Sequence, residues 1–299
     1  MKTKYVRWLK LLFIFSCLIC LPALSVCQTG TETIINIGRQ LAEDGLHEEA
    51  IVEYRRALFF SEGDSHRSLS YYLLGIEYRE LEQWQKAEQA LELALAITEN
   101  ESLKTETTLA LASTYIISNK PSLAVLTLIP LLQETNTVSV YKQAVLISII
   151  AEANQQHWNQ AISLVDKLQK REEGYSDSSL IQLREVLEEA RQTKPLDPEK
   201  AKFLSTMFPG AGQFYAGDVK NGLHALALNG INFWVVLNNL VQADYISAVL
   251  YAVFVTERYY AGNRFHAEQI AMNANESMEK HFTKNILSIL ARFAQESSR

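Results

Sequence analysis

A spacing of 37 residues recurs along the first half of this chain, and it constrains the fold more than any other feature. Gly38, Gly75 and Ala112 stand one step apart (75 − 38 and 112 − 75), and Ala50, Ala87, Ala124 and Ala161 keep that step three times over. Ala57, Ala94, Leu131 and Leu168 follow it, as do Tyr54, Leu91, Leu128 and Val165. His47, Trp84 and Trp158 each stand three residues before one of the shared alanines. A fixed period of this length marks one supersecondary element copied in tandem, each copy burying its apolar face against the next. The alternation of small and large residues suits a pair of antiparallel helices per copy. Small side chains at the crossing let the backbones approach, and larger ones fill the stack.

Composition agrees with helices throughout. Only 12 glycines and 6 prolines interrupt 299 residues, and Leu, Ala, Glu and Gln are good helix formers. The second copy shows the pattern best, with Tyr71, Leu74, Gly75 and Tyr78 on its first helix and Ala87, Leu91 and Ala94 on its second. This resembles the tetratricopeptide pattern W-x2-L-G-x2-Y followed by A-x3-F-x2-A, with Tyr71 and Leu91 as substitutions. The resemblance covers residues 31–172 and implies an all-α, TPR-like solenoid of four helix-pair repeats. Tetratricopeptides usually repeat at about 34 residues, so about three extra residues per copy should lengthen a helix or a turn. Leu111, Ala112 and Tyr115 keep the pattern in the third repeat. Ser148, Ile149 and Glu152 replace it in the fourth, where only the second helix is expected to hold. Residues 173–194 should form a capping helix, with Asp177 or Ser178 as N-cap and Leu180, Leu183, Val186, Leu187 and Ala190 as its stripe. Pro195 and Pro198 then mark a linker over 195–202 and a domain boundary.

In tetratricopeptide arrays the first helix of each repeat lines an inner groove. The resemblance therefore assigns to that face Asn36 and Arg39, then Tyr72, Ile76 and Arg79, then Leu109, Ser113 and Ile116, and finally Leu146 and Ile150. The Lys/Asn set that clamps a C-terminal carboxylate in chaperone-binding members is missing. A groove for an extended or helical peptide is one reading, with Arg39 and Arg79 facing acidic groups and Tyr72 as anchor. The other is that the apolar part of this face is core, covered by the chain's own C-terminal helix.

The first 27 residues read as a secretory signal. Lys2, Lys4, Arg7 and Lys10 precede an apolar run from Leu11 to Ile19, with Pro22 and small residues after it. Ala23-Leu24-Ser25 fits a signal-peptidase site. Leu24-Ser25-Val26-Cys27 resembles a lipobox and would make Cys27 a lipidated N-terminus, and an uncleaved anchor is the third possibility. All three cysteines, Cys17, Cys20 and Cys27, lie here, so the exported chain has no disulfide framework or thiolate metal site. The expected location is periplasm-facing and membrane-associated. A net charge of -6 and a pI near 5.6 leave no basic face for nucleic acid.

The character changes after the linker. Pro209, Gly210, Gly212, Gln213, Tyr215, Gly217 and Gly222 spell P-G-x-G-Q-x-Y-x-G-x4-G. This resembles the entry motif of TM2-type hydrophobic hairpin domains, and the hairpin is expected over residues 203–262. No strand precedes the glycines and no Lys-Ser/Thr follows, which argues against a nucleotide loop. Residues 221–243 carry no Asp, Glu, Lys or Arg, and a helix from Leu223 to Val241 would rise about 28 Å, near the hydrocarbon thickness. The second arm, Tyr245 to Thr256, is too short to span alone, and the flanking Lys and Arg oppose the positive-inside rule. Membrane association is expected over a soluble packing role, with membrane lipid as a partner.

A C-terminal helix over 263–299 should carry Phe265, Ile270, Ala274, Met278, Phe282, Leu287, Leu290 and Phe293 as one stripe. The six histidines are scattered and no G-x-S-x-G elbow exists. His224 and Asn232 are expected to hydrogen-bond helix to helix. No cofactor or catalytic set is indicated. The chain reads as a non-enzymatic protein-binding scaffold of the bacterial cell envelope. The alternative is an accessory component of envelope transport or assembly that acts through its hairpin, with the repeats as a docking arm.

Overall fold

The structure, a computed structural model, describes residues 30–135, 137–171 and 178–296. The expected signal segment, Cys27 and the expected N-cap Asp177 lie outside the described residues. The chain divides into two compact units, Met1–Ser176 and Asp177–Arg299, and the described residues form helices and turns with no strand.

The first unit is a succession of helix pairs. Helix α1 covers 30–43. It is followed by α2 (His47–Phe60), α3 (Asp64–Glu80), α4 (Trp84–Ile97), α5 (Glu101–Ile117), α6 (Pro121–Glu134), α7 (Val138–Asn154) and α8 (Trp158–Arg171). The even-numbered helices all have 14 residues and start at His47, Trp84, Pro121 and Trp158, each 37 after the last. Helices α3, α5 and α7 all have 17 and start at Asp64, Glu101 and Val138, on the same step. The added length of the repeat thus sits in the first helix, three residues longer than the second. Each helix packs on the next, and first helices also touch across repeats, α3 on α5 and α5 on α7, which is the connectivity of a solenoid.

The turn inside each repeat is also copied. Gly45, Glu82, Asn119 and Gln156 stand 37 apart and all take positive φ, at 78°, 55°, 61° and 58°. The N–H of the following residue reaches back to close the helix end: Leu46 to Leu41, Gln83 to Tyr78, Lys120 to Tyr115 and His157 to Glu152, at 2.7–2.9 Å. A left-handed residue at this position satisfies carbonyls that the helix end would otherwise orphan.

Where first and second helices cross, residue sizes trade off. Gly38 faces Tyr54 and Gly75 faces Leu91. One and two steps further on, the same two positions hold Ala112 with Leu128 and Ile149 with Val165, all four buried. The fourth repeat is therefore complete, contrary to the sequence expectation. Its first helix, α7, keeps length and register, and Ser148, Ile149 and Glu152 are buried at the signature positions. The larger Ile149 fits because Val165 is smaller than the Leu and Tyr it replaces.

The second unit contains α9 (Ser178–Gln192), α10 (Pro198–Met207), the short α11 (Ala211–Tyr215), α12 (Val219–Val241) and α13 (Tyr245–Tyr251). A π-helical turn (Ala252–Thr256) leads into α14 (Glu257–Glu296). Three boundaries differ from expectation. The expected cap α9 belongs here, packed on α14. Its Leu180, Leu183, Leu187 and Ala190 are buried, and Arg292 donates to Gln182 at 3.0 Å. Pro198 starts a helix instead of prolonging a linker. It occupies the first turn, where its missing N–H costs nothing, and the Asp197 carboxylate accepts from the Lys200 N–H at 3.1 Å. No break separates hairpin and C-terminal helix at 262, so α14 runs 40 residues, roughly 60 Å.

The C-terminal stripe is also rotated from expectation. Ala267, Ala271, Phe282, Ile286, Ile289, Leu290 and Phe293 are buried, whereas Phe265 and Leu287 are exposed. Phe265 loses its place because α10 approaches α14 closely enough to demand alanines, Ala201 meeting Ala267 and Ala271. Among the described residues, no helix is long and apolar enough to cross a membrane. The spanning reading of Leu223–Val241 therefore fails, since the asparagines along α12 dilute its apolar character.

Candidate functional site

The first helices of the array carry every residue assigned to the groove face, and their exposure is graded. Asn36 and Arg39 are exposed on α1, with the Arg39 Nη1 3.5 Å from Asn36 Oδ1. Tyr72, Ile76 and Arg79 on α3 are half-buried, as are Leu109, Ser113 and Ile116 on α5 and Leu146 and Ile150 on α7. Tyr72, Ile76, Leu109 and Ile116 also flank the core beneath them. Their inner edges pack on that core, and their outer edges are open.

The charges assigned to this face are Arg39 on α1 and Arg79 on α3. Arg79 donates to the Ala110 carbonyl at 3.5 Å, tying α3 to α5, and burial pushes its pKa down from the ordinary arginine value. The Tyr72 hydroxyl is pushed up, mainly by burial and then by the Glu106 carboxylate, with Arg79 opposing. Glu106 and Leu109 line a cavity of about 740 Å³ with Lys104, Thr127, Pro130 and Gln143. That cavity collects residues from α5, α6 and α7, and the periodicity gave no sign of it. A half-buried cation and an aromatic side by side can hold an acidic or aromatic group of a peptide.

The glycine-rich motif of the second unit is a packing knot. Gly210 has φ of 94°, and a Cβ there would stand 2.4 Å from the Gly222 carbonyl oxygen on α12. A Cβ on Gly212 would meet the Ala201 carbonyl oxygen at 2.0 Å, so α11 touches α10 backbone to backbone. Ser205 Oγ accepts from the Gly212 N–H at 3.0 Å and donates to Gln213 Oε1 at 2.9 Å. Gln213 is fully buried, and its Nε2 donates to Asn263 Oδ1 at 2.7 Å, linking α11 to α14. Tyr215 Oη accepts from the Asp197 N–H at 3.1 Å. Gly217 makes the left-handed turn (φ 82°) before α12, and Pro209 precedes Gly210. The motif residues thus come together, and what they assemble is the junction of α10, α11, α12 and α14.

Beside that junction lies a cavity of about 780 Å³ between α12, the π-helical turn and α14. Its polar lining comes from His224, Asn229, Arg258, Asn263 and His266, and its apolar lining from Leu228, Phe254 and Val255. His224 is exposed and lines this space, so it does not join the helices as expected. Asn232 does, accepting from Tyr251 Oη at 2.9 Å across the hairpin. His224, Arg258 and His266 stand far apart in sequence, and only the fold-back of α12 on α14 unites them. The outward faces of α12 and α13 are apolar, with Ile231, Trp234, Leu237, Ile246 and Val249 all more than half exposed. Among the described residues no group of three or more His, Cys, Asp or Glu could hold a metal ion.

No family model matches this chain, and no curated protein does. Among solved structures it is similar to YrrB, a TPR protein with an unusual peptide-binding site. The identity there is 21% and the TM-score 0.42, over 64% of this chain and 89% of YrrB. It is also similar to PilW, a widely conserved type IV pilus biogenesis factor, at 14% identity and TM-score 0.41, over 68% of this chain and 93% of PilW. The apo form of RapI is a third, at 15% identity and TM-score 0.46, over 83% of this chain and 75% of RapI.

Proposed function

We propose that this chain is a non-enzymatic protein-interaction scaffold of the cell envelope, whose exported repeat array receives a peptide or helix while the second unit attaches to a membrane surface. The observation that carries the reading is the division of labour between helices in the array. Second helices bury Ala50, Ala87, Ala124 and Ala161 completely. First helices leave a row of exposed or half-exposed side chains, one set per repeat, with Tyr72 and Arg79 in the second. A surface of this kind offers aromatic and cationic anchors at regular intervals, which suits an extended or helical segment carrying acidic groups.

The membrane part of the proposal draws on the outer face of the hairpin. No Asp, Glu, Lys or Arg stands between Lys220 and Asp244, and exposed apolar side chains run along both arms. Contiguous apolar surface of that extent marks an interaction site. Attachment would be interfacial, with the hairpin lying in the headgroup region, because no described helix has the length and apolar character to span. Lipidation at Cys27 would add a second anchor.

The test is photo-crosslinking in cells from a probe replacing Tyr72, in the full chain. Captured protein should fall sharply when Arg39→Glu and Arg79→Glu are introduced together. Unchanged capture would remove the groove from the argument. Fractionation of the same cells should place the chain in the membrane fraction, and recovery of a detergent-independent soluble monomer would remove the membrane attachment.

A second reading, an accessory component of envelope transport or assembly acting through the hairpin, is favoured by the polar cavity between α12 and α14. Deleting residues 199–299 while restoring membrane attachment artificially separates the two. A scaffold keeps its partners, and a hairpin-driven component loses its activity.

A further inference from the structure

We infer that the cavity between α12 and α14 binds the headgroup of an anionic phospholipid, with the phosphate held by Arg258, His224 and His266. At about 780 Å³ it has the size of a small-molecule site, large enough for a phosphate, a glycerol and the start of an acyl chain. Its charge has one sign. Arg258 is the one formally charged side chain of the lining, two histidines stand with it as ring N–H donors, and no Asp or Glu lines the cavity. Two carboxylates that flank the lining residues in sequence are committed elsewhere. Asp218 accepts from the Asn221 N–H at 3.0 Å and from its Nδ2 at 2.6 Å, although it also feels His266 and Lys220 electrostatically. Glu257 pairs with Arg264 at 3.7 Å.

A second observation points to an occupant. Asn229 lines the same cavity and is only 2% exposed, yet its Oδ1 has no hydrogen-bond partner. Its Nδ2 is spent on the Ala225 carbonyl at 2.8 Å, which fixes the amide so that the orphaned oxygen is an acceptor. A buried acceptor left unpaired costs about 1–3 kcal/mol and calls for a donor. The hydroxyl of a glycerol headgroup supplies one, whereas a quaternary ammonium cannot. Leu228 and Phe254, both exposed, lead from the polar end to the apolar outer face of the hairpin and give an acyl chain its path. The π-helical turn falls where Phe254 and Val255 enter the lining, and such turns are frequent at functional sites. Generic attraction does not account for a preference of this sort, since a chain of net charge -6 is repelled by anionic surfaces.

The inference rests on the proposed membrane attachment for the source of the lipid, and not for the site itself. Soluble dihexanoyl phosphatidylglycerol is therefore titrated calorimetrically into the full chain, with dihexanoyl phosphatidylcholine and glycerol 1-phosphate as comparators. Saturable binding of the phosphatidylglycerol is expected, at least about tenfold tighter than either comparator. Arg258→Ala, at an exposed position, should weaken it about tenfold without altering the melting curve, and His224→Ala with His266→Ala should act likewise. Equal affinity for the two lipids, or an undiminished Arg258→Ala, overturns the proposal. Glycerol 1-phosphate binding as tightly as the lipid overturns it in favour of a soluble phosphate ester.

Flotation with vesicles of phosphatidylcholine, with and without phosphatidylglycerol, separates this inference from membrane attachment. A chain that floats on both vesicles without preferring phosphatidylglycerol in the titration loses the headgroup site and keeps the attachment. One that binds the short-chain lipid but floats on neither keeps the site and loses the attachment.

Discussion

Replacing the left-handed turn residues of the array by glycine should stabilise it, and the four copies of that turn allow the effect to be measured inside one molecule. Glu82, Asn119 and Gln156 sit at φ of 55–61°, where Gly45 sits at 78° one repeat earlier. An L-residue in this region is strained by about 1–2 kcal/mol, less for asparagine, whose short side chain tolerates it. Glycine relieves the strain but gives back about 0.5–1 kcal/mol in backbone entropy. All three side chains are exposed, so few packing contacts are lost. Glu82→Gly and Gln156→Gly should therefore each gain about 0.5–1 kcal/mol, and Asn119→Gly a few tenths.

These positions are one repeat apart along the array, so the gains should add to about 1–2 kcal/mol in the triple variant. At about 2–4 °C per kcal/mol for a unit of this size, the melting temperature should rise by about 2–8 °C. Thermal and urea unfolding followed by far-ultraviolet circular dichroism reads this out. Two controls run the other way. Gly45→Gln should cost what Gln156→Gly gains, and Glu80→Gly, still helical two residues before Glu82, should lose about 1 kcal/mol. A triple variant no more stable than the parent, or a neutral Gly45→Gln, would refute the account of the turn.

Further expectations follow from the packing. Gly75→Ala places a Cβ 2.5 Å from Leu91 Cγ and should destabilise the array by about 1 kcal/mol net of helix propensity, whereas in a Leu91→Ala background the same change should stabilise by about 1 kcal/mol. Calorimetry on the four variants checks the reversal of sign. Gln213→Ala leaves Ser205 and Asn263 short of buried partners and should cost about 2–4 kcal/mol, visible as earlier melting of the second unit and faster hydrogen exchange along α11. The Tyr54 hydroxyl is pushed up to about 12 by burial and by Glu77. Its folded pKa exceeds its unfolded value of about 10, so its contribution is complete below pH 10 and is lost between about pH 10 and 12. Tyr54→Phe should flatten that limb of the stability profile, and an unchanged limb would place the alkaline transition elsewhere.

The array could be read from the chain because its information is local and repeated. Ala87, Leu91 and Ala94 recur at helical spacing, and each copy meets only its neighbours, so period, helix count and buried face follow from position alone. Even the left-handed turns are written as a 37-residue series from Gly45 to Gln156, although Glu82 and Gln156 hide it by lacking the glycine that would announce it. The fourth repeat departs from the residue pattern because its first helix keeps size complementarity, Ile149 with Val165, and drops the residue types.

The second unit was less readable because its contacts join residues far apart in the chain. The packing of α9 on α14 depends on which stripe covers Leu183 and Leu187, and no pattern within α9 says so. The glycines of the motif announced close approaches without naming their partners, the carbonyls of Ala201 and Gly222. His224, Asn229, Arg258 and His266 became one cavity only when α12 folded back along α14. Local periodicity fixes helices and the faces they bury. Convergence of polar groups from distant segments arises from packing, where backbone approach and side-chain volume select one arrangement among many that the same stripes allow.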